Sequence, residues 1–352
     1  MKICTVVGAR PQFIKAAALS RELQKHHNEI IIHTGQHYDH NMSEVFFEEL
    51  EIPRPQYNLG VSGGTHGKMT GEMLIAIEKT LLVEKPDMTI VYGDTNSTLA
   101  GALAAVKLHI PVCHIEAGVR YGTLKSPEEV NRILTDRVSS LLMCCTHTAV
   151  ENLAREGIVD GVHNTGDLMY DTLIYYNDIL KKPFDLPEVY YYLTCHREEN
   201  TSDEILKEIF DAIQVLDAPV IYPVHPRNQE RAQRIKSKGR YNNIELYAPV
   251  GYLESLYLVK HAKKVVTDSG GLQREAWFFN IPCVTLLDHP LWPETFGGNM
   301  NQLCKPNKDE ILSKLAITPE VTKKRNVFGD GKAVQKITNL ITAWEREYCP
   351  TS

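Results

Sequence analysis

Three carboxylates and one imidazole stand where this sequence can put them to work. Asp94 follows the apolar run Met88–Tyr92 in Gly93-Asp94-Thr95, and Glu116 follows Pro111–Ile115 in His114-Ile115-Glu116-Ala117-Gly118. Glu128 lies in Pro127-Glu128-Glu129, which opens a helix carrying Asn131 and Arg132. His196 and Arg197 close the run Tyr190–Thr194 in Thr194-Cys195-His196-Arg197-Glu198. Acids and a histidine at such run ends suit proton transfer on both faces of a sugar ring. A carboxylate pair alone also suits glycoside hydrolysis. Plainer roles compete at single positions. Acidic residues in a first helical turn complement the helix dipole, so Glu128 by itself argues little. His225, in Pro223-Val224-His225-Pro226 beside Arg227, fits a structural turn as well as a site.

Two glycine turns point to a phosphate-bearing ligand, which disfavours the glycosidase reading. Asp268-Ser269-Gly270-Gly271 follows Lys264–Thr267 and opens a helix. A helix N-terminus offers unpaired N–H groups and partial positive charge. Glycines let a diphosphate approach the backbone, and Ser269 adds a donor. Glu275, one turn further, is placed to accept from two ribose hydroxyls. Capping by Asp268 and Ser269 is the simpler role for the same residues. Gly8-Ala9-Arg10-Pro11 repeats the arrangement after Lys2–Val7, with Pro11 suited to a first helical turn and Arg10 and Lys15 as cations for a nucleotide. Neither turn is a Walker A loop or a G-x-G-x-x-G, which leaves P-loop and dehydrogenase readings little support.

These turns need rigid elements behind them. The first half predicts strands at Lys2–Val7, Glu29–Thr34, Met88–Tyr92 and Pro111–Ile115, alternating with helices at Arg10–Gln24, Met42–Leu50, His66–Leu82 and Thr98–Leu108. The pattern restarts with strands at Tyr190–Thr194, Val220–Pro223, Ile244–Leu246, Lys264–Thr267 and Cys283–Leu287 and helices at Ser202–Leu216, Tyr252–Lys260 and from Leu272. Short apolar strands between amphipathic helices imply parallel sheets covered on both faces. The expected fold is α/β, with two Rossmann-like doubly wound domains facing a cleft, where ligands of open sheets bind. The joint is expected near Asn164–Tyr170. That gives domains 1–168 and 169–352, with the last helix, about Ala333–Tyr348, able to pack back on the first.

The 352 residues are enough for two domains. A net charge of −6 gives no general reason to bind nucleic acid or an anionic membrane. No apolar run approaches the roughly 20 residues that span a bilayer, and Met1–Gly8 reads as strand and turn rather than signal peptide. The eight cysteines, Cys4, Cys113, Cys144, Cys145, Cys195, Cys283, Cys304 and Cys349, contain no C-x-x-C pair. Buried thiols in a reducing cytoplasm are expected, with no metal site.

Taken together, the motifs resemble the non-hydrolysing UDP-N-acetylglucosamine 2-epimerases along almost the whole chain. The resemblance is carried by Gly8-Ala9-Arg10-Pro11-Gln12-Phe13-Ile14-Lys15, Thr34-Gly35-Gln36-His37-Tyr38-Asp39 and Tyr92-Gly93-Asp94-Thr95-Asn96-Ser97-Thr98. It continues through His114–Gly118, Pro127–Arg132, Cys195-His196-Arg197, Thr267–Gln273 and Gly329-Asp330-Gly331. It implies a GT-B type fold, a homodimer, a UDP-sugar substrate and UDP as ligands, no cofactor, and a role in surface polysaccharide precursor synthesis. It also implies elimination of UDP from C1 as the C2 proton leaves, giving a 2-acetamidoglucal, then re-addition with a proton delivered to the other face. Asp94, Glu116, Glu128 and His196 match the acid/base positions, and Arg10, Ser269, Gly270, Gly271 and Glu275 match nucleotide positions. Lys15, Arg132, Arg197 and His225 complete the expected ligand contacts.

The sequence departs from the family pattern in places. Gln12 and Phe13 replace a common Glu and Ala, Glu198 follows His-Arg, Asp288–Glu294 lacks the usual Thr-Glu, and Arg120-Tyr121-Gly122-Thr123 is unusual. Gln12-Phe13 and Thr34–Asp39 resemble the branch that epimerises UDP-2,3-diacetamido-2,3-dideoxyglucuronic acid. In that branch Lys125 or Arg227 would meet the substrate carboxylate, unless both are surface charges. Three more functions fit parts of the pattern. They are a hydrolysing 2-epimerase that releases UDP, a GT-B glycosyltransferase, which the Glu116/Glu128 pair argues against, and an inactive nucleotide-sugar-binding protein.

Overall fold

Buried apolar runs and capped helices alternate to build two parallel sheets. The computed structural model describes residues 1–36, 49–320 and 326–348. The first sheet holds β1 (Lys2–Val7), β2 (Asn28–His33), β3 (Tyr57–Asn58), β4 (Met88–Tyr92), β5 (Val112–Ile115), β6 (Leu141–Cys144) and β7 (Val162–Asn164). Their order is β3-β2-β1-β4-β5-β6-β7, and every pairing is parallel. With them run α1 (Arg10–Leu23), α2 (His66–Glu84), α3 (Asn96–Lys107), α4 (Pro127–Val138), α5 (His147–Arg155) and α6 (Leu168–Tyr176). The second sheet holds β8 (Tyr191–Thr194), β9 (Val220–Pro223), β10 (Ile244–Tyr247), β11 (Lys264–Thr267), β12 (Cys283–Leu286) and β13 (Asn301–Cys304), in the parallel order β10-β9-β8-β11-β12-β13. Its helices are α7 (Asp203–Ile213), α8 (Gln229–Lys238), α9 (Tyr252–His261), α10 (Gly270–Phe279) and α11 (Lys308–Leu315), and α12 (Ala333–Tyr348) follows them.

Parallel strands covered on both faces read as unbroken apolar runs. All five residues of β4 are buried. In the first sheet's core, Val6, Ile32 and Val91 pack with Met73 and Ile77 of α2 and Ala100 and Ala104 of α3. In the second, Leu193, Val220, Val266 and Val284 pack with Ile209, Phe210 and Ile213 of α7.

The chain divides into two compact units, Met1–Tyr175 with Asn326–Ser352, and Tyr176–Arg325. This moves the expected 168/169 joint and makes the first unit discontinuous. α6 stays with the first unit because Leu168 and Met169 are buried and the Thr172 hydroxyl donates to the Ile14 carbonyl at 3.3 Å. The returning tail stays there for related reasons. The Asp167 amide donates to the Phe328 carbonyl at 2.9 Å, Val334 N donates to Asp171 Oδ2 at 2.8 Å, and α12 packs on α1 with Ile337 and Ile341 buried. The expected helix Met42–Leu50, the segment His37–Asp39 and Cys349 fall wholly or largely outside the described residues.

The strand orders reverse between β1 and β4 in the first sheet and between β8 and β11 in the second. Ligands of open α/β sheets bind beyond the carboxyl ends of the strands at such reversals. Gly8–Arg10 and Gly93–Thr95 leave the first pair, and Cys195–Arg197 and Asp268–Gly271 leave the second. Nearly every motif singled out in the sequence therefore sits at or beside a reversal.

Candidate active site

In the first unit a buried ion cluster joins four side chains. Lys15, on α1, places Nζ 2.6 Å from Glu116 Oε2. Arg132, on α4, places Nη2 2.6 Å from Asp94 Oδ2 and 3.3 Å from Glu116 Oε1. Glu116 is 6% exposed, Lys15 3% and Arg132 2%. Charges so far from water must be paired. Burial alone would lower the Arg132 guanidinium, but Asp94, Tyr121 and Glu116 hold it well above its ordinary value. The Tyr121 hydroxyl donates to Asp94 Oδ2 at 2.8 Å. Burial and then the Asp94 charge push that phenol up. Asn131 Nδ2 fixes the Asp94 carbonyl at 2.9 Å. Lys15 and Arg132, expected among the ligand contacts, pair with the two carboxylates.

The backbone around these acids is unusual. Gly93, Glu116 and Gly118 have φ of +64°, +70° and +76°, and only glycine enters that region without strain. A Cβ on Gly118 would lie 2.3 Å from the Ala149 carbonyl oxygen. Glu128 is exposed in the first turn of α4 and accepts from Ser126 Oγ at 2.5 Å, apart from the Lys15–Glu116–Arg132–Asp94 pairs. Its neighbour Glu129 is buried and accepts from the Tyr121 and Gly122 amides at 2.8 and 2.9 Å.

The first glycine turn differs from the phosphate cradle expected of it. Gln12 Oε1 accepts from the Gly8 and Ala9 amides at 2.7 and 3.0 Å, which engages the donors a phosphate would use. Gln12 Nε2 reaches the Tyr92 carbonyl at 2.8 Å, Thr98 Oγ1 at 2.9 Å and Thr95 Oγ1 at 3.0 Å. The buried Gln12 side chain therefore ties the β1–α1 turn to the β4–α3 turn. Gly8 is required there, because a Cβ would lie 2.1 Å from Thr34 Oγ1 and 2.2 Å from Ser97 Oγ. Arg10 is half-buried at the first residue of α1.

In the second unit Asp268 organises the turn after β8. It is fully buried, accepts from the His196 and Arg197 amides at 2.9 Å each, and sits 3.0 Å from His196 Nδ1. Burial would raise its carboxyl, but His196 and these amides bring it down to about 2. An anion facing Nδ1 selects the proton there and leaves Nε2 for a ligand. Arg197 Nε donates to the Asp268 carbonyl at 2.8 Å. The half-buried His225 ring lies 6.1 Å from that of His196, and Arg227 is exposed with Nη1 3.4 Å from the His196 carbonyl. Lys125 is likewise exposed. Ser269 caps α10, accepting from Leu272 N at 3.3 Å. A Cβ on Gly270 would lie 2.0 Å from Leu291 Cδ2. Gly271 is half-buried beside it. Glu275 is buried one turn on, where burial and then its charge push the Tyr252 phenol well up.

Sequence reasoning passed over three residues that the geometry makes prominent: Gln12, Tyr121 and, beyond a capping role, Asp268. Two carried a signal, since Gln12 and Tyr121 stand where this chain departs from the family pattern. Among the described residues no group of three or more His, Cys, Asp or Glu is placed to hold a metal ion, and no helix is long and apolar enough to cross a membrane.

Two doubly wound parallel units with functional turns at their order reversals define a protein of two Rossmann-like domains, of the GT-B type. Residues 21–342 match the family UDP-N-acetylglucosamine 2-epimerase. A UDP-N-acetylglucosamine 2-epimerase homolog of Methanococcus maripaludis is 48% identical, over 97% of this chain and 99% of that one. The UDP-2,3-diacetamido-2,3-dideoxy-D-glucuronate 2-epimerase of Pseudomonas aeruginosa is 44% identical, with the same two shares. The crystal structure of Methanocaldococcus jannaschii UDP-GlcNAc 2-epimerase in complex with UDP-GlcNAc and UDP is 41% identical, covers 97% of this chain and 100% of that one, and superposes with a TM-score of 0.86. The chain belongs to the UDP-N-acetylglucosamine 2-epimerase family, which here includes the diacetamido-glucuronate branch.

Proposed function

We propose that the chain, as a homodimer, reversibly epimerises C2 of a UDP-2-acetamido sugar, of the UDP-GlcNAc to UDP-ManNAc type, without net hydrolysis, in the supply of surface polysaccharide precursors. The observation that carries this reading is the buried Lys15–Glu116–Arg132–Asp94 cluster. Two carboxylates share two cations there, so one can take a proton while the other gives one. In the elimination step a first-unit carboxylate takes the C2 proton, the C1–O bond breaks, and UDP leaves with the electron pair, giving a 2-acetamidoglucal. In the return step the UDP oxygen attacks C1 and a proton is delivered to the other face of C2. Atoms and electrons balance, so no redox partner is needed.

The second-unit turns hold the nucleotide in this reading. The N-terminus of α10, with Ser269, Gly270 and Gly271, takes the diphosphate, and Glu275 takes the ribose. His196, oriented by Asp268, faces the departing oxygen through Nε2, with Arg197 and His225 near it. Glu128 and Arg10 act from the exposed first turn of α4 and the start of α1. Similar identity to a diacetamido-glucuronate epimerase supports a second substrate, with Arg227 or Lys125 meeting its carboxylate.

Incubation with UDP-GlcNAc in deuterated water, followed by NMR at C2, tests the proposal. Deuterium at C2 with UDP still attached is the expected result. Stoichiometric free UDP points to the hydrolysing reaction, and exchange only with the diacetamido-uronate moves the substrate. No exchange with either sugar would leave a binding protein and refute the catalytic reading.

A further inference from the structure

His114, on β5, and Asp136, on α4, lie behind the two acid-bearing turns with both side chains fully buried. His114 Nε2 is 2.7 Å from the Gly93 carbonyl oxygen, and Nδ1 is 2.6 Å from Asp136 Oδ1. A carbonyl oxygen only accepts, so Nε2 carries a proton. Asp136 Oδ2 accepts from the Gly118 amide at 3.1 Å and from Arg120 Nη1 at 2.7 Å. With a guanidinium on it the carboxyl is an anion, which also only accepts, so Nδ1 carries a proton too. Either neutral tautomer would aim a lone pair at an acceptor inside the core, a contact that costs the missing bond and adds repulsion.

Building on the epimerase reading above, we infer that His114 is a buried imidazolium whose pair with Asp136 positions the Asp94 and Glu116 turns for proton transfer. The pair grips the main chain on either side of the site. His114 holds the carbonyl of Gly93, the residue before Asp94. Asp136 holds the amide of Gly118, two residues after Glu116, and Asn152 Nδ2 holds the Gly118 carbonyl at 3.0 Å. These are the turns with positive φ at Gly93, Glu116 and Gly118. For the non-glycine Glu116 that conformation is strained and persists only where its surroundings impose it.

The neighbouring charges agree with this assignment. Arg120 reaches on to Glu156 at 2.6 and 2.8 Å, so the two cations, His114 and Arg120, stand against the two anions, Asp136 and Glu156. The Cys144 thiol on β6 is pushed up to about 12, by burial and then by the Asp136 charge, and stays neutral. Cys113, beside His114 on β5, is pushed up by burial alone.

The test uses the full chain labelled with 15N-histidine, with the His114 signals assigned by their loss in His114→Gln. Both ring nitrogens should carry a proton in the active wild-type chain. In Asp136→Asn the new amide can donate to Nδ1 while its oxygen keeps Gly118 and Arg120, so the signals should change to a neutral Nε2–H ring. In His114→Gln, kcat for C2 exchange should fall about 100-fold, the scale of a misplaced catalytic group, with KM unchanged. A bare ring nitrogen in the active wild-type chain overturns the imidazolium. An unchanged kcat in His114→Gln, or a rise in KM that matches the fall in kcat, overturns the positioning role. A wild-type chain without C2 exchange removes the epimerase reading and the positioning role together, while the ring signals still decide the charge.

Discussion

Replacing Asp268 by asparagine isolates the group that organises the second unit's turn. The native carboxylate is fully buried and has its charge answered by His196 and two backbone amides. Its carboxyl is lowered from 3.8 to about 2. At 1.36 kcal/mol per unit, a shift of roughly two units is about 2–3 kcal/mol of folding free energy. The folded-state value is the depressed one. The stabilisation is therefore fully present above about pH 4 and fades as pH falls from about 4 to about 2. Asp268→Asn should thus be less stable than wild type by about 2–3 kcal/mol at neutral pH, and the gap should close toward about pH 2. Chemical denaturation read by hydrogen exchange of β8 and β11 peptides measures it at the unit concerned. A gap that stays constant from about pH 7 to about pH 2, or no gap at neutral pH, would mean that Asp268 is not held by charge, and the proton assignment of His196 would go with it.

Three further substitutions probe the first unit. Lys15→Met removes the cation 2.6 Å from Glu116 Oε2, which should cost about 3 kcal/mol, the low end for breaking a buried pair. A loss under about 1 kcal/mol, as for an exposed pair, counts against the buried cluster. Tyr121→Phe removes a donor to the Asp94 carboxylate, a bond of about 1.5–3 kcal/mol, so C2 exchange should slow at least about tenfold, and wild-type rates would make the phenol incidental. Gly8→Ala forces a methyl against Thr34 Oγ1 and Ser97 Oγ and should destabilise the first unit by about 1–3 kcal/mol on denaturation; wild-type stability would contradict that close approach.

Much of the fold was legible because buried parallel strands advertise themselves. Met88–Tyr92 and Lys264–Thr267 coincide with β4 and β11, as their apolar runs predict. Edge strands were less readable. β3 is two residues long and β7 is Val-His-Asn, too short and too polar for any period to register. The joint was hard to read for a physical reason: Gly166-Asp167 reads as a linker, yet its glycine serves a turn clasped by Phe328, a residue far along the chain. At the site, the residue types at strand ends singled out Asp94, Glu116 and His196 as candidates. What they could not reveal was who partners whom. That Lys15 lies on Glu116, or that Gln12 occupies the Gly8 turn, depends on side-chain directions set only by packing.

The discontinuous first unit also bears on how the chain is made. Residues leave the ribosome in chain order, so the contiguous second unit, Tyr176–Arg325, is fully synthesised before α12 exists. Until residues 326–348 emerge, α1 lacks the packing of α12, whose Ile337 and Ile341 are buried in the finished unit. The half that is born first is therefore the half that finishes last, and it waits with apolar surface open to chaperones. A premature stop near residue 330 would spare the half with the Ser269–Gly271 turn and cripple the half with the carboxylates, a polarity of damage that the position of the acids, all before residue 130, would never suggest.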